Sequence, residues 1–494
     1  MTAPLPPPHP VLARLCLALC LLALPGCATF RSYNAELTET LSMAAAGRPG
    51  AAAARLEKQN TGHDLLYYLE LGELQRLDGN VEASQKSWLA ADRQVQAWEA
   101  SARANPARVL GNAASYVVND KMAPYEGHDY EKVMLTTRMA LNHLAQEDWD
   151  TARVDIKRTH EREAVIADLR AKEIAKTEDE ARKRGASTGF KELNGYPVQT
   201  IDNPEVNALR NSYQSAVSHY LAGFVYEALG EPSLAAAGYR QAIELHPGNP
   251  ILEDALAGLD ARGGGEAGTT DVLFVVESGA APARVSQQFN LPIPYNNRLV
   301  FVSVSFPVIR QQDPGALPSA IHMGGATAVP TLVTSVDAMA RRALQEEMPG
   351  IMLRGIIRST AKAALQYNVQ KQDETGLASL AVMLGSIVTE SADERAWRTL
   401  PAQIAIARTR VPTGTPYLDV DTPGGTQRVA IAAKGRHQVI ALRSLGGHLF
   451  TMPPQGPRGE PPRQAAAASG STATASTDIE STSRKPQAFL ALTP

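Results

Sequence analysis

Three consecutive glycines, Gly263, Gly264 and Gly265, separate two parts of the chain whose hydrophobic patterns differ, and this change limits the possible folds most. Before them, residues 30–260 read as successive helices. After them, apolar and β-branched runs at 272–276 and 299–304 predict buried strands. Further helices are predicted at 332–347, 351–370 and 377–389, and further strands at 404–410, 427–432 and 438–442. This order predicts an α+β protein, with a helical domain at 27–262 and a smaller α+β domain at 266–452.

The final segment, residues 453–494, is rich in Pro, Ala, Ser, Thr and Gly and has few large apolar side chains. Such a composition cannot bury enough surface to offset the entropy of an ordered chain. We therefore predict a disordered tail over 453–494.

A helical-hairpin pattern recurs in the first part of the chain and is clearest at residues 218–249. Counting from Gly223, it continues through Tyr226, Gly230, Ala235, Tyr239, Ala242 and Pro247. This unit resembles a tetratricopeptide repeat, although His219 and Ala222 depart from the usual residues. Small residues would let two helices approach closely, and Gly230 would permit the turn between them.

Two weaker units precede this one. Residues 65–96 place Gly72, Gly79 and Trp88 at matching positions, and residues 133–163 place Ala140 and Ala152 there. A long charged helix is predicted at 151–183, and a polar helix of this kind usually projects or bridges. The sequence thus predicts a tetratricopeptide-like helical array; unrelated hairpins whose small residues recur by chance are the alternative.

The N-terminus has the pattern of an export signal. Arg14 precedes an apolar run at 15–24 that is too short to cross a bilayer. The run ends in Leu24-Pro25-Gly26-Cys27, which resembles a bacterial lipobox with an uncommon proline. This resemblance implies a signal peptide at 1–26 and lipid attachment at Cys27, whereas an ordinary signal peptide would leave Cys27 a free thiol. Because Ala28 rather than Asp follows, it implies the outer membrane, facing the periplasm.

Composition and motifs argue against several other functions. The formal net charge of −3 does not provide the basic surface that nucleic acids require. The ten histidines are scattered, without a metal-binding or phosphate-loop motif, so no metal, cofactor or nucleotide is predicted. Ser359 and Lys362 have the S-x-x-K spacing of penicillin-recognising enzymes, but the partner motifs of those enzymes are missing from the sequence. No catalytic residue is therefore predicted.

The resemblance to tetratricopeptide proteins implies that the inner face of each first helix lines a groove for an extended protein segment. The matching positions are Leu69, Glu73, Arg76, Tyr220, Phe224 and Glu227. The alternative is that other helices cover this groove.

A second group of polar residues lies in the later domain. Arg354, Arg358 and Lys362 follow one face of a predicted helix, which suits either an anionic ligand or pairing with Glu390, Asp393 and Glu394. The dense polar segment 390–401 contains Glu390, Asp393, Arg395 and Trp397. Its paired carboxylates permit an acid/base interpretation. However, Asp393 and Glu394 are adjacent, and a helix would point their side chains apart. We therefore favour a structural junction, with Trp397 packed between helix and strand.

Four segments together resemble a family of proteobacterial lipoproteins that has repeat-type N-terminal regions and no settled activity. They are YEGHDYEK at 125–132, ALNHL at 140–144, HYLAGFVYE at 219–227 and ADERAWRTLP at 392–401. The resemblance implies a location and an architecture but no reaction. It favours a membrane-anchored periplasmic scaffold that binds envelope proteins, in cell-wall regulation or surface-structure assembly. An enzyme acting on peptidoglycan or another envelope polymer, and a structural subunit of a secretion or export assembly, are the alternatives.

Overall fold

The computed structural model describes residues 33–60, 62–104, 124–263, 266–295, 298–372 and 391–454. The predicted signal peptide, Cys27, the predicted helix at 377–389 and Glu390 lie outside these residues, as does the predicted tail beyond residue 454. Within the described residues the protein is α+β, with helices before the glycine triplet and sheets after it.

Eleven α-helices are described before the triplet. They are α1 (Tyr33–Ala45), α2 (Pro49–Gln59), α3 (Leu65–Leu77), α4 (Val81–Ala104), α5 (Asp129–Ala145), α6 (Trp149–Arg184), α7 (Pro204–Ala208), α8 (Ala216–Ala228), α9 (Pro232–Leu245), α10 (Pro250–Ala257) and α11 (Leu259–Arg262). Side-chain caps begin two of them, because Asp64 accepts the Tyr67 N–H at 2.9 Å and Asp148 accepts the Thr151 N–H at 3.1 Å. The charged helix predicted at 151–183 is thus confirmed as part of α6.

Short turns join α3 to α4, α5 to α6 and α8 to α9 as hairpins, and each of these three turns contains a residue with positive φ. Gly79 between α3 and α4 has a φ of 82°, and Gly230 between α8 and α9 has a φ of 75°. Glycine reaches this region without steric cost, which explains why the sequence has glycine at both turns. The turn between α5 and α6 uses Glu147 instead, at a φ of 61°.

The predicted close approach of paired helices is present in two hairpins. A Cβ atom on Gly72 of α3 would lie 2.3 Å from the Trp88 ring of α4, and a Cβ on Gly223 of α8 would lie 2.5 Å from the Tyr239 ring of α9. Both rings are fully buried. In each hairpin, therefore, a glycine on the first helix makes room for an aromatic side chain of the second.

Three sheets follow the triplet. Their strands are β1 (Thr269–Ser278), β2 (Arg284–Tyr295), β3 (Arg298–Ile309), β4 (Ala320–Met323), β5 (Ala326–Ala328), β6 (Thr331–Ser335), β7 (Gln403–Pro412), β8 (Leu418–Thr422), β9 (Gly425–Val429), β10 (His437–Leu445) and β11 (His448–Met452). The main sheet has the order β11-β10-β1-β7-β6, in which β1 runs parallel to β10 and antiparallel to β7. Among the described strands, β2 and β3 pair only with each other, and β5-β4-β8-β9 form the third sheet.

One long helix, α12 (Val336–Gln372), replaces the two helices predicted at 332–347 and 351–370. The prediction was wrong at its start because residues 331–335 form β6, which pairs with β7. It was wrong in the middle because Pro349 lies inside the helix without ending it. Among the described helices, including the two longest, α6 and α12, none is both long and apolar enough to cross a membrane.

The helical and sheet regions share their largest apolar core. Trp88 of α4, Phe224 of α8 and Leu273 of β1 belong to one cluster of buried side chains, together with Trp397 and Ile404. Residues 27–262 and 266–452 therefore differ in secondary structure, but their described residues do not have separate principal cores.

Gly238→Ala is expected to lower the free energy of unfolding by about 1–3 kcal/mol, measured by urea denaturation. A Cβ atom at this position of α9 would lie 2.7 Å from the Gly223 nitrogen and 2.9 Å from the His219 carbonyl oxygen. Both are main-chain atoms of α8, so the whole helix would have to move. The control is Gly350→Ala in α12, where the nearest atom is the flexible end of Arg354 at 3.4 Å. There the higher helix propensity of alanine should raise stability by about 0.5–1 kcal/mol, and equal effects at both sites would contradict the packing argument.

Candidate functional site

The six predicted groove residues lie inside the protein. Leu69, Glu73, Arg76, Tyr220 and Phe224 are at most 2% exposed, and the Glu227 side chain is 5% exposed. They lie on one face of α3 and one face of α8, here called the inner face, and it is not an open groove in this structure. The alternative, cover from helices of other units, holds in part, because α5 contacts Glu73 and Arg76. The main sheet and the segment before β7 cover the rest of this face.

The first half of this face contains a buried ionic group, the Arg138 cluster, made of Glu73, Arg76, Arg138, Glu277 and Arg443. Arg138 of α5 binds Glu73 of α3 through Nε at 3.1 Å and binds Glu277 of β1 through Nη2 at 3.2 Å. Arg443 of β10 lies 3.5 Å from Glu277. Three arginines therefore surround two carboxylates, and two helices are joined to two strands.

The charges of the Arg138 cluster explain its pKa shifts. Burial alone would raise the pKa of Glu277, but Arg138, Arg76 and Arg443 hold it below its ordinary value. Burial lowers the pKa of Arg76 to about 10, and this side chain donates to Asn142 Oδ1 at 2.8 Å. Glu277 is thus ionised at neutral pH, and the cluster is a fixed link between helices and sheet.

The second half of the face contains the Arg408 cluster, made of Glu227, Arg262, Asp271 and Arg408. Arg408 of β7 lies between two carboxylates, 2.7 Å from Glu227 of α8 and 2.8 Å from Asp271 of β1. Arg262 of α11 binds Glu227 at 2.7 Å. Burial would raise the pKa of Glu227, but these two arginines lower it to about 2. The guanidinium of Arg408 also lies 4.7 Å from the Phe224 ring.

Ligand atoms of Glu227, Asp271 and His437 lie within 4.8 Å of one another at this cluster, close enough to share a metal ion. Arg408 already occupies the space between the two carboxylates and supplies the positive charge that a cation would bring. Burial, the larger effect, lowers the pKa of His437. The arrangement therefore supports a structural ionic link rather than metal binding.

An irregular segment, residues 391–401, crosses the inner face between these clusters, and the helices hold it by its backbone. Glu70 of α3 accepts the N–H groups of Arg398 at 2.7 Å and Thr399 at 3.0 Å. Glu131 of α5 accepts the N–H of Trp397 at 2.7 Å. The Trp397 ring is fully buried and meets Trp88 edge to face, with centroids 6.1 Å apart. Trp397 is thus packed against α4, and its backbone is held by α5.

The other predicted residues of this region are not arranged as a catalytic pair. Asp393 binds Arg395, two residues along the chain, at 2.7 Å, and Glu390 lies outside the described residues. On α12, Arg358 is buried, Arg354 and Lys362 are partly exposed, and all three have interaction partners. The expected face of an anionic ligand site is therefore already engaged in contacts.

A third ionic group, the His128 cluster, was not found from the sequence. His128, the N-cap of α5, faces Glu347 of α12 through Nδ1 at 2.9 Å and the Arg395 carbonyl oxygen through Nε2 at 3.1 Å. Arg284 of β2 binds the same Glu347 at 2.8 Å. Nδ1 thus faces a carboxylate, whereas Nε2 faces a carbonyl oxygen and also lies 3.5 Å from the Arg284 guanidinium. Burial would lower the pKa of His128, but Glu347 and Glu131 raise it above its ordinary value.

A cavity and a histidine contact lie outside these three clusters. A cavity of about 300 Å³ between α4 and α6 is lined by Gln96, Glu99, Arg103, Arg158, Glu161 and Arg162, but Arg162 already binds Asp92 and Glu99. On the third sheet, His322 contacts Asp421 at 2.9 Å and Thr327 at 3.0 Å. A carboxylate, an imidazole and a hydroxyl in this order resemble the catalytic triad of a hydrolase. However, His322 is directly opposite Thr327 in the β4–β5 register, so cross-strand pairing on an exposed face explains the contact.

No family model matches this chain, and none of the curated proteins compared with it shows significant similarity.

Proposed function

We propose that this protein is a lipoprotein anchored at the outer membrane through Cys27, and that it acts as a periplasmic scaffold for envelope proteins. The sequence Leu24-Pro25-Gly26-Cys27 after an apolar run is the observation that carries the proposal. Only residues 28–32 separate Cys27 from the start of α1. Such a tether, at most about 20 Å long, would keep the helical region beside the bilayer.

The packing of the helical hairpins supports the likeness to tetratricopeptide repeats. Gly72 with Trp88, and Gly223 with Tyr239, pair a small residue of a first helix with an aromatic residue of the second. The same positions define the pattern in the sequence. Repeat arrays of this kind serve as binding surfaces rather than as reaction centres.

The partner surface of this scaffold is proposed on its exterior, since the inner face is occupied. The half of α6 after Leu169 suits this role, because it carries charges of both signs on most faces. Lys172 pairs with Asp168 at 2.6 Å and Lys183 with Asp179 at 2.6 Å. Between them Ile174 is 53% exposed. An exposed apolar side chain on a charged helix suits contact with a protein partner.

The test is photo-crosslinking in intact cells from a reactive residue at position 174. Adducts with specific envelope proteins are expected from Ile174, and fewer from Leu89, an exposed apolar residue of α4 that serves as control. In the Cys27→Ser background, fatty-acid labelling and sedimentation with membranes should be lost, and the adducts should fall with them. Unchanged lipid labelling in the Cys27→Ser variant would contradict lipid attachment at Cys27. Equal amounts of adduct from positions 89 and 174 would contradict a partner-binding surface at Ile174.

A further inference from the structure

The cavity between α4 and α6 has a rigid inner wall. Arg162 of α6, whose side chain is buried, donates through Nε to Glu99 at 2.7 Å and through Nη2 to Asp92 at 2.8 Å. Its Nη1 donates to the carbonyl oxygen of Lys132 at 2.9 Å. Each nitrogen of this guanidinium therefore has an acceptor, and its planar fork is held in one orientation. Arg162 thus shapes the cavity, and its hydrogen bonds are directed into the protein.

Arg158 lies one turn before Arg162 on α6 and is engaged on one side only. Its Nη1 lies 3.2 Å from Asp92 and 3.2 Å from Asp155, two carboxylates that are only 3% exposed. The structure shows no partner for its Nε and Nη2 among the described residues, and the side chain is 30% exposed. These two nitrogens form the edge of a guanidinium that donates two parallel hydrogen bonds. Arg158 is therefore held at its inner end and presents a preorganised donor edge.

α4 contributes a second cation and an amide to the same cavity. Arg103, in the last turn of α4, lines the cavity, is exposed and makes no hydrogen bond or ion pair with another described residue. Gln96 donates through Nε2 to Asp92 at 2.6 Å, which fixes its amide group. The cavity has a volume of about 300 Å³, at the lower end of the range for small-molecule sites. The enclosed space therefore suits a compact ligand.

The carboxylates around the cavity do not balance all of its arginines. Asp92 and Glu99 compensate the two arginines of α6. Glu161, which also lines the cavity, is exposed and lies 3.8 Å from Lys157. Arg103 is thus left without a compensating charge in the part of the chain that the structure describes. An anion that reached the cavity would meet one uncompensated guanidinium and the open edge of another.

Asp155 makes the charge of this site depend on pH. Burial, the largest effect, raises its pKa to about 7, while Arg158 opposes this shift and Asp92 adds to it. The other charged or titratable groups around its carboxylate are Asp148, Arg162 and His143, whose Nε2 lies 3.6 Å away. Above pH 7 an ionised Asp155 competes for Arg158, whereas below pH 7 its protonation leaves Arg158 with Asp92 alone.

We propose that this cavity binds the phosphate group of a small phosphate monoester, through Arg103 of α4 and the outer edge of Arg158 of α6. One guanidinium fork satisfies a planar carboxylate. A phosphate monoester has two charges and three terminal oxygens, so it suits two guanidinium groups supplied by different helices. The inference does not depend on the lipid anchor or on the partner surface proposed above.

The test is isothermal titration calorimetry of the purified full-length protein with glycerol 3-phosphate at pH 7. Arg103→Gln should weaken binding about tenfold, because it removes one charge-assisted contact. Arg93→Gln is the matched control, since Arg93 is an exposed arginine of the same helix that does not line the cavity, and it should bind as the parent does. Absence of binding by the parent at about 10 mM ligand, or equal binding by Arg103→Gln, would overturn the inference.

Glycerophosphoglycerol, the diester headgroup of phosphatidylglycerol, distinguishes a free phosphate ester from a lipid surface. A diester carries a single charge and should bind at least about fivefold more weakly than the monoester. Equal or tighter binding of the diester would overturn the assignment to a phosphate monoester.

A second probe, sulfate, keeps its two charges between pH 6 and pH 8. It should bind about threefold more weakly at pH 8 than at pH 6, because Asp155 loses its proton in this range. Asp155→Asn should remove this pH dependence and should bind sulfate more tightly than the parent at pH 8. A gain in affinity cannot arise from misfolding, and circular dichroism with urea denaturation would show that each variant folds. Weaker binding by Asp155→Asn at pH 8 would contradict the proposed role of Arg158.

Discussion

Arg138→Met is expected to lower the free energy of unfolding by about 3–5 kcal/mol, measured by urea denaturation at neutral pH. The side chain of Arg138 is fully buried between Glu73 and Glu277, both of which are also buried. Methionine is of similar length but leaves two carboxylates facing each other without their shared cation. Arg443 lies 3.6 Å from Glu73 and 3.5 Å from Glu277, too far to replace the lost hydrogen bonds.

The matched control is Arg55→Met, which removes an arginine from the exposed pair of Arg55 with Glu39. Their side chains are 31% and 62% exposed, so this change should cost less than about 1 kcal/mol. Combining Arg138→Met with Glu73→Gln and Glu277→Gln should restore part of the lost stability, because the unpaired charges are then gone. If Arg138→Met cost no more than Arg55→Met, the cluster would not be the link between helices and sheet that its geometry indicates.

All three ionic clusters connect a helix of the first region to an element of the second. The Arg138 cluster joins α3 and α5 to β1 and β10, the Arg408 cluster joins α8 and α11 to β1 and β7, and the His128 cluster joins α5 to β2 and α12. Ion pairs buried in this way are costly unless their geometry is satisfied, so they select one arrangement of the two regions. The inner face of the helices is consequently an internal interface.

Local features of the fold could be predicted from the sequence. The β-branched runs that became β1, β7 and β10 are bounded by turn residues, and Gly79 and Gly230 mark turns that require positive φ. The spacing of Gly223 and Tyr239 also predicted their contact. Each of these features depends on neighbours within a few tens of residues, where periodicity and turn chemistry act directly.

The partners of the charged residues could not be predicted in the same way. Arg138 lies 65 residues from Glu73 and 139 residues from Glu277, and Arg408 lies 181 residues from Glu227. On helices read alone, Glu73 and Glu227 suggest a partner-binding face. The resemblance to tetratricopeptide repeats implied an inner face at these positions, but what covers this face comes from distant parts of the chain.

The free energy of unfolding of the wild type, minus that of a Glu70→Gln variant, is expected to fall by about 3 kcal/mol between pH 4.5 and pH 7. Burial raises the pKa of Glu70 to about 7, against the opposing effect of hydrogen bonds from Thr399, Tyr33 and Arg398. The unfolded chain releases this proton near pH 4.5, whereas the folded protein keeps it until about pH 7. Unfolding therefore releases a proton within this window, and rising pH favours it. Urea denaturation of both proteins at intervals of pH measures the difference, in which contributions shared by both proteins cancel.

Glu39→Gln is the control, because Glu39 is largely exposed and should leave stability unchanged across the same window. The result would also show how segment 391–401 is held. If the difference stays flat or rises with pH, then the N–H groups of Arg398 and Thr399 and the Tyr33 hydroxyl stabilise an ionised Glu70 more than burial opposes it. An ionised Glu70 would then bind segment 391–401 at every pH above 4.5. A falling difference means instead that ionisation of Glu70 near neutral pH weakens the binding of this segment.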